Sequence, residues 1–465
     1  MGGYRLKLRL IALLFFAVTT LITYVTLKHA SFIFPQWEMN KNEFLGPPLH
    51  SPNHGSNIQK SHETFVFKQM ILDNPSRKPE VGRQNHLENI PTFHQKAGRS
   101  KCNTSVTILA PSMRPFQAWR EYKQLLNEFS EQSTQLSNTD QRSLHLECPR
   151  QLCNVDIQVT TDEVYLKTTN AVIVNMFPQI FKKNLLSFLS HLRQILNPQV
   201  HWFFYGVESP QMMTFWDPNI AEIQYHHSIT YHSEADLQLP YGKYLSNHSD
   251  EMVSPERDWS ANKTALIAWM ASNCNNTFWP RHEFVSELKK HILVDMYGAC
   301  GTLTCLPALS EKCTNLMTRY KFYLALENAE CDDYITEKVW TNGLLQGAVP
   351  VVYGGRKESY ERLLPPKSFI HISDFDSAEQ LAAYLQFLHF HKSMYNMYHA
   401  WRNYGSFKVV YPPLNPQFFC EIVPFTLKPP PQLRAVKNSG YYKGCKSLLG
   451  TFVDRGSLKS FVPWK

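Results

Sequence analysis

Twice along this chain, short apolar runs of strand type alternate with stretches of helical apolar spacing, and that pattern leaves few folds open. The first series runs through VTILA (Val106–Ala110), a helical stretch from Phe116 to Phe129, VDIQVT, AVIVNMF, a helical stretch from Phe181 to Leu196, and VHWFFYGVE. A looser region spans Ser209 to Ala261. The second series runs through ALIAWMAS (Ala265–Ser272), a helix opened by Pro280, HILVDMYG, KFYLALE, the helix YITEKVWTNGLLQ, VPVVYGG and SFIHIS, and ends in a helix from Ala378 to His389. Strands alternating with helices build parallel, doubly wound sheets, because a parallel crossover needs about a helix's length of chain. The expected fold is therefore α/β, with two Rossmann-like domains facing a cleft. Ligands of such sheets sit beyond the carboxyl ends of the strands, which points to the loops after Glu208, Ser272, Glu327 and Tyr353. A G-x-G-x-x-G fingerprint is missing, which disfavours a dinucleotide cofactor.

The first hundred residues are of another kind. Arg5, Lys7 and Arg9 precede an uncharged run from Leu10 to Leu27, closed by Lys28. Its length suits a transmembrane helix, and the basic flank keeps residues 1–9 cytosolic, so 10–27 reads as a signal-anchor with everything after it lumenal. Residues 28–101 are rich in Asn, His, Ser and Pro and read as a flexible stem. The division expected downstream is an N-terminal Rossmann-like domain at 102–250, a C-terminal Rossmann-like domain at 251–405, and a Pro-rich segment at 406–465 holding Cys420 and Cys445. A lumenal setting turns the ten cysteines into an expected disulfide set, with the pairing left open. It also makes the sequons at Asn103, Asn247, Asn262 and Asn275 candidate glycosylation sites. The net charge of +8 is too diffuse for a nucleic-acid partner.

The densest chemical signal is Tyr320 to Gly355. A buried strand ends in Glu327-Asn328, and an acidic loop leads to a helix expected near Asp333. A helix N-terminus favours a phosphate, and Glu337 and Lys338 fall in its first turn. Lys338 can neutralise a diphosphate, and Glu337 can bond a sugar hydroxyl. Pro280 suits a first helical position and places Arg281 where its fork can meet a phosphate. Glu208, ending a strand of the first domain, would lie on the opposite wall as a general base.

These same strings, YKFYLALEN…DYITEKVW followed by GAVPVVYGG and SFIHISDF, resemble the signature of the α1,3-fucosyltransferases, glycosyltransferase family 10. ELKKHILVDMYGACG is similar too, and VESP and SITYHSEADLQLPYG resemble the acceptor side. The resemblance implies a GT-B fold, GDP-fucose as donor, and inverting transfer of L-fucose to N-acetylglucosamine of glycoprotein glycans. It implies that Arg281 and Lys338 bind the diphosphate, that Asn328, Tyr334 and Glu337 contact nucleotide or fucose, and that Glu208 deprotonates the acceptor hydroxyl. It requires no metal or other cofactor, and it implies a Golgi membrane enzyme of type II topology. Asp374-Phe-Asp376 matches D-x-D spacing only literally, and Asp332-Asp333 reads as helix capping. The chain departs from many members at Tyr231-His232-Ser233-Glu234, where an Arg pair is common, and at Ala299. Two other functions stay open on sequence: a protein O-fucosyltransferase of the same fold, and a non-catalytic lumenal glycoprotein-binding protein.

Overall fold

Sixteen strands carry the architecture of the computed structural model, which describes residues 102–133, 143–177, 184–247, 257–306 and 310–446. In chain order they are β1 (Cys102–Leu109), β2 (Ser143–Cys148), β3 (Cys153–Thr160), β4 (Ala171–Val174), β5 (His201–Gly206), β6 (Gln224–Tyr225), β7 (His227–Thr230) and β8 (Leu237–Gln238). Then come β9 (Gly242–Ser246), β10 (Ala265–Met270), β11 (Val294–Tyr297), β12 (Tyr320–Leu326), β13 (Val349–Tyr353), β14 (Ile370–His371), β15 (Gly405–Val409) and β16 (Arg434–Ala435). The proposed cytosolic tail, membrane span and stem lie outside the described residues. Among the described residues no helix is long and apolar enough to cross a membrane.

The first sheet has the order β2-β3-β1-β4-β5-β7-β8 and is parallel except where β2 runs antiparallel to β3. The second has the order β11-β10-β12-β13-β14 and is parallel throughout. β4, β5 and β12 are buried at every position, as strands covered on both faces must be, which is why they read as unbroken apolar runs. In the first sheet the order reverses between β1 and β4, and in the second between β10 and β12. The two crevices where ligands of open sheets bind therefore lie beyond those strand ends.

Two stretches differ from the sequence reading. The helix expected over Phe116–Phe129 is broken at Trp119, whose extended backbone (φ −111°, ψ 114°) separates Arg114–Ala118 from the turn Arg120–Tyr122 and the helix Lys123–Ser133. Phe116, Tyr122 and Phe177 still pack edge to edge, 4.9–5.8 Å between ring centres, so the apolar spacing served the core without a continuous helix. The region from Ser209 to Ala261 holds a helix, Pro210–Trp216, capped by Ser209 Oγ accepting from Met212 N, and four short strands. Strands of two to five residues are too brief to leave a periodic signal.

The C-terminal stretch is woven into both halves. β15 pairs antiparallel with β9, and β16 with β6. Cys420 is bonded to Cys148 beside the first sheet, and Cys445 to Cys331 in the loop after β12. Cys102–Cys153, Cys274–Cys300 and Cys305–Cys313 complete a set that uses all ten cysteines. The asparagines of all four sequons are exposed.

At the starts of β5 and β7, His201, His226 and His227 cluster, with Phe425 4.6 Å from His227, His201 Nδ1 3.0 Å from His227 Nε2 and His201 Nε2 2.9 Å from the Lys428 carbonyl. Burial first, then the neighbouring His201 and Arg193, push His226 down to about 4; burial likewise takes His227 to about 4, against the pull of Asp236. Their unfolded value is 6.5, so the stability they confer as neutral rings is complete above that pH and is lost as pH falls toward 4. Calorimetry should show a flat unfolding midpoint above pH 6.5 and a steady decline below it, on the order of 2 kcal/mol per ring. A midpoint unchanged down to pH 4.5 would contradict this.

Candidate functional site

β12 is followed directly by Glu327, a carboxylate with no exposed surface. A charge so placed must be paired, and Thr336 and Lys338 pair it. Thr336 N donates to Glu327 Oε1 at 2.8 Å, Thr336 Oγ1 lies 2.9 Å from both carboxylate oxygens, and Lys338 Nζ donates to Oε2 at 2.9 Å. Lys338 Nζ also reaches Thr336 Oγ1 at 2.8 Å and Glu337 Oε1 at 3.4 Å. Burial alone would lower the Lys338 ammonium, but Glu327 and Glu337 outweigh it and hold the group above the ordinary lysine range. The glycine pair after β13 is explained here: a side chain at Gly354 would meet Glu327 Cβ at 2.7 Å, and one at Gly355 the Cys331 carbonyl at 2.5 Å.

The helix expected near Asp333 begins later. Glu337 is its N-cap residue and Lys338 its first residue, and Lys338–Leu344 is wound as a π-helix, with Leu345 N donating to Trp340 O at 3.0 Å. Asp332 and Asp333 are not helix caps. Asp332 binds Arg356 in a two-pronged pair, Nε at 2.9 Å and Nη2 at 2.5 Å. Asp333, at φ 61°, takes the Arg362 guanidinium and accepts from Ser233 N at 3.0 Å. These aspartates thus tie the loop down and join it to the first half. Asp374 pairs with Lys357, and Asp376 accepts from Gln380.

Arg281 opens the helix Arg281–Leu288, with Pro280 at the N-cap rather than at the first helical position. The residue is 3% exposed and two arms of its guanidinium are committed to main chain, Nη1 to Leu326 O at 2.9 Å and Nη2 to Asn273 O at 2.6 Å. The buried Nε makes no hydrogen bond among the described residues. Burial lowers this guanidinium below its ordinary value, while Glu327 pulls the other way.

From the first half, β5 delivers Glu208. Tyr241 Oη donates to the Val207 carbonyl at 2.9 Å and Tyr441 Oη to the Glu208 carbonyl at 2.7 Å, so the main chain is held on both sides of the carboxylate. Glu208 Oε1 accepts from Ser209 N at 3.0 Å, from Asn328 Nδ2 at 3.4 Å, and from the Tyr334 hydroxyl. Oε2 makes no such bond among the described residues. Asn328 and Tyr334 belong to the second half, so these contacts cross the cleft.

Glu208, Arg281, Asn328, Tyr334, Glu337 and Lys338 all line one cavity of about 330 Å³ between the two sheets. Trp119, Glu121, Asn175, Trp216 and Asn342 line it too and were not singled out from sequence. Asn175 was visible as the polar interruption of the run AVIVNMF. Glu121 carried no local signal, because it sits in a turn whose position depends on the break at Trp119. Burial, followed by Glu337 and Glu208, raises the Glu121 carboxyl, with its own main-chain hydrogen bond opposing. His232 and Glu234, in the segment that departs from the family pattern, line a separate recess beside Tyr225 and Arg434, and Ala299 is exposed and lines neither.

Residues 260–435 match the family model described as glycosyltransferase family 10 (fucosyltransferase), C-terminal part. Glycoprotein 3-alpha-L-fucosyltransferase A of Drosophila melanogaster is 38% identical over 196 residues, 42% of this chain and 37% of that protein. The 4-galactosyl-N-acetylglucosaminide 3-alpha-L-fucosyltransferase FUT6 of Pan troglodytes is 34% identical over 264 residues, 57% of this chain and 67% of that protein. The chain thus spans from little more than a third to two thirds of the length of these curated relatives. A crystal structure of alpha1,3-fucosyltransferase with GDP-fucose aligns at a TM-score of 0.42 and 14% identity, covering 72% of this chain and 94% of that one. With the signature strings folded around the cavity and the family match running through all five strands of the second sheet, the chain belongs to glycosyltransferase family 10, the fucosyltransferases.

Proposed function

We propose that this protein is an α1,3-fucosyltransferase of GT-B type that moves L-fucose from GDP-β-L-fucose to an N-acetylglucosamine hydroxyl of glycoprotein glycans, with inversion. One observation carries the reading: a carboxylate, Glu208, stands across a single cavity from Arg281 and Lys338. A displacement at the anomeric carbon needs that polarity. Glu208 takes the proton of the acceptor hydroxyl as its oxygen bonds to fucose C1. The bond from C1 to the β-phosphate oxygen breaks, and its electron pair leaves with GDP. Arg281 and Lys338 offset the charge that collects on the diphosphate. Both cations are anchored before any substrate arrives, Arg281 by two carbonyls and Lys338 by Glu327, so little reorganisation accompanies the step. Asn328, Tyr334 and Glu337 would contact nucleotide or fucose on the same wall. No step in this scheme calls on a metal or other cofactor. Glycoprotein acceptors and the run at residues 10–27 suit an enzyme anchored in the Golgi membrane with this cavity on the lumenal side.

The relatives named above are fucosyltransferases by their names, which supports the same donor here. The full chain in detergent, given GDP-fucose with glycans ending in N-acetylglucosamine and separately with folded lumenal domains, should release GDP in step with α-linked fucose on the glycans. Fucose appearing on polypeptide alone, or a β-linked product, would overturn the acceptor or the inverting step respectively.

A further inference from the structure

We propose that Asn175 is the specificity-determining residue that reads the acetamido group of the acceptor sugar. The inference rests on the fucosyl-transfer reading above and deepens its acceptor side. Asn175 directly follows β4, at the point where the order of the first sheet reverses between β1 and β4. That is where open parallel sheets hold their ligands. It lines the same cavity as Glu208. It is 3% exposed, yet neither Nδ2 nor Oδ1 has a hydrogen-bond partner among the described residues. Buried side-chain amides are normally bonded, and one that is not calls for an explanation. The backbone is unusual too: φ is 70°, a left-handed conformation that tends to collect at functional sites when the residue is not glycine.

The chemistry of the missing partner follows from the surroundings. An asparagine amide presents a donor and an acceptor side by side and carries no charge. Its complement is a neutral group with an acceptor and a donor in one plane, as an acetamido group has. Glu121, Glu208 and Glu337 line the cavity as well, so an anionic sugar substituent would meet like charge. An acetamido group also brings a methyl, and the buried Met176 and Met213 on the same lining give it apolar contact. Trp119 and Trp216, 5.5 Å apart and partly exposed at the cavity, offer the apolar faces on which a pyranose ring can rest.

A purely structural role for Asn175, tolerance of the left-handed backbone, is separable, because glycine adopts that backbone freely and lacks the amide. The test uses the full chain in detergent, with methyl β-N-acetylglucosaminide and methyl β-glucoside as probes, read by saturation-transfer NMR. The wild type should favour the acetamido glycoside by about tenfold or more, as sites built to hydrogen-bond a group reject its analogue. Asn175→Gly should keep its melting temperature and GDP-fucose affinity, with the preference falling to about twofold or less. Retention of the preference in Asn175→Gly, or unfolding of that variant, overturns the inference. Preserved discrimination with no fucose transfer by the wild type would instead sink the transfer reading and leave this one standing.

Discussion

Lys338→Met should lower the stability of the fold by about 3–5 kcal/mol and cut fucose transfer about a hundred- to a thousandfold. The two losses have different origins. Glu327 has no exposed surface and Lys338 is its cationic partner, so methionine leaves a buried carboxylate held by Thr336 alone. Breaking a buried pair from one side is the expensive case, because the remaining charge has been taken out of water without compensation. Lys338 is also 18% exposed toward the cavity, where its charge would meet the departing diphosphate. The double variant Lys338→Met/Glu327→Gln separates these effects. Removing both charges should restore most of the melting temperature, since two neutral groups of similar shape replace an ion pair, while transfer stays low. Recovery of transfer along with stability would show that Lys338 serves the fold alone.

Glu208→Gln should reduce the maximal rate about a hundred- to ten-thousandfold, with GDP-fucose affinity changed less than about threefold. Glutamine keeps an oxygen where Oε1 now accepts from Ser209 N, Asn328 and the Tyr334 hydroxyl, so the contact across the cleft survives. What is lost is the capacity to take a proton. Tyr334→Phe removes the hydroxyl from Oε1 and should have the smaller effect, because two donors remain to orient the carboxylate. Single-turnover kinetics with separate donor binding by calorimetry resolves the two. Should Glu208→Gln turn over near the wild-type rate while Glu121→Gln does not, the base belongs to Glu121, the partly buried carboxyl on the same lining.

Much of the cavity could be read from the order of residues because parallel sheets place chemistry at strand ends. Glu208 follows β5, Glu327 and Asn328 follow β12, and Arg281 opens the helix after β10. Each is thus brought to the cleft by local periodicity alone. The strings around Tyr320–Gly355 served the same purpose. Their reading missed one point: the helix starts at Glu337–Lys338 because the preceding residues are drawn into other bonds, Asp333 to Arg362 and Ser233, Thr336 to Glu327. Propensity marks where a helix is possible, and those partners, distant in sequence, decide where it begins.

From sequence alone came the α/β class, two series of strand and helix, the strand-end carboxylates and the cationic residues beside them, all encoded within windows of a few residues. Tertiary structure alone decided that Lys338 is pinned by a buried Glu327, that Tyr334 reaches Glu208 across 126 positions, and that Cys148 bonds Cys420 across 272. It also brought Trp119, Glu121 and Asn175 to the cavity. Periodicity records which face of an element is buried, but not which distant face lies opposite. That choice is made by packing, when burial of many apolar groups brings far-separated polar ones together and leaves some, like the Asn175 amide, facing a cavity with nothing of the chain to bond.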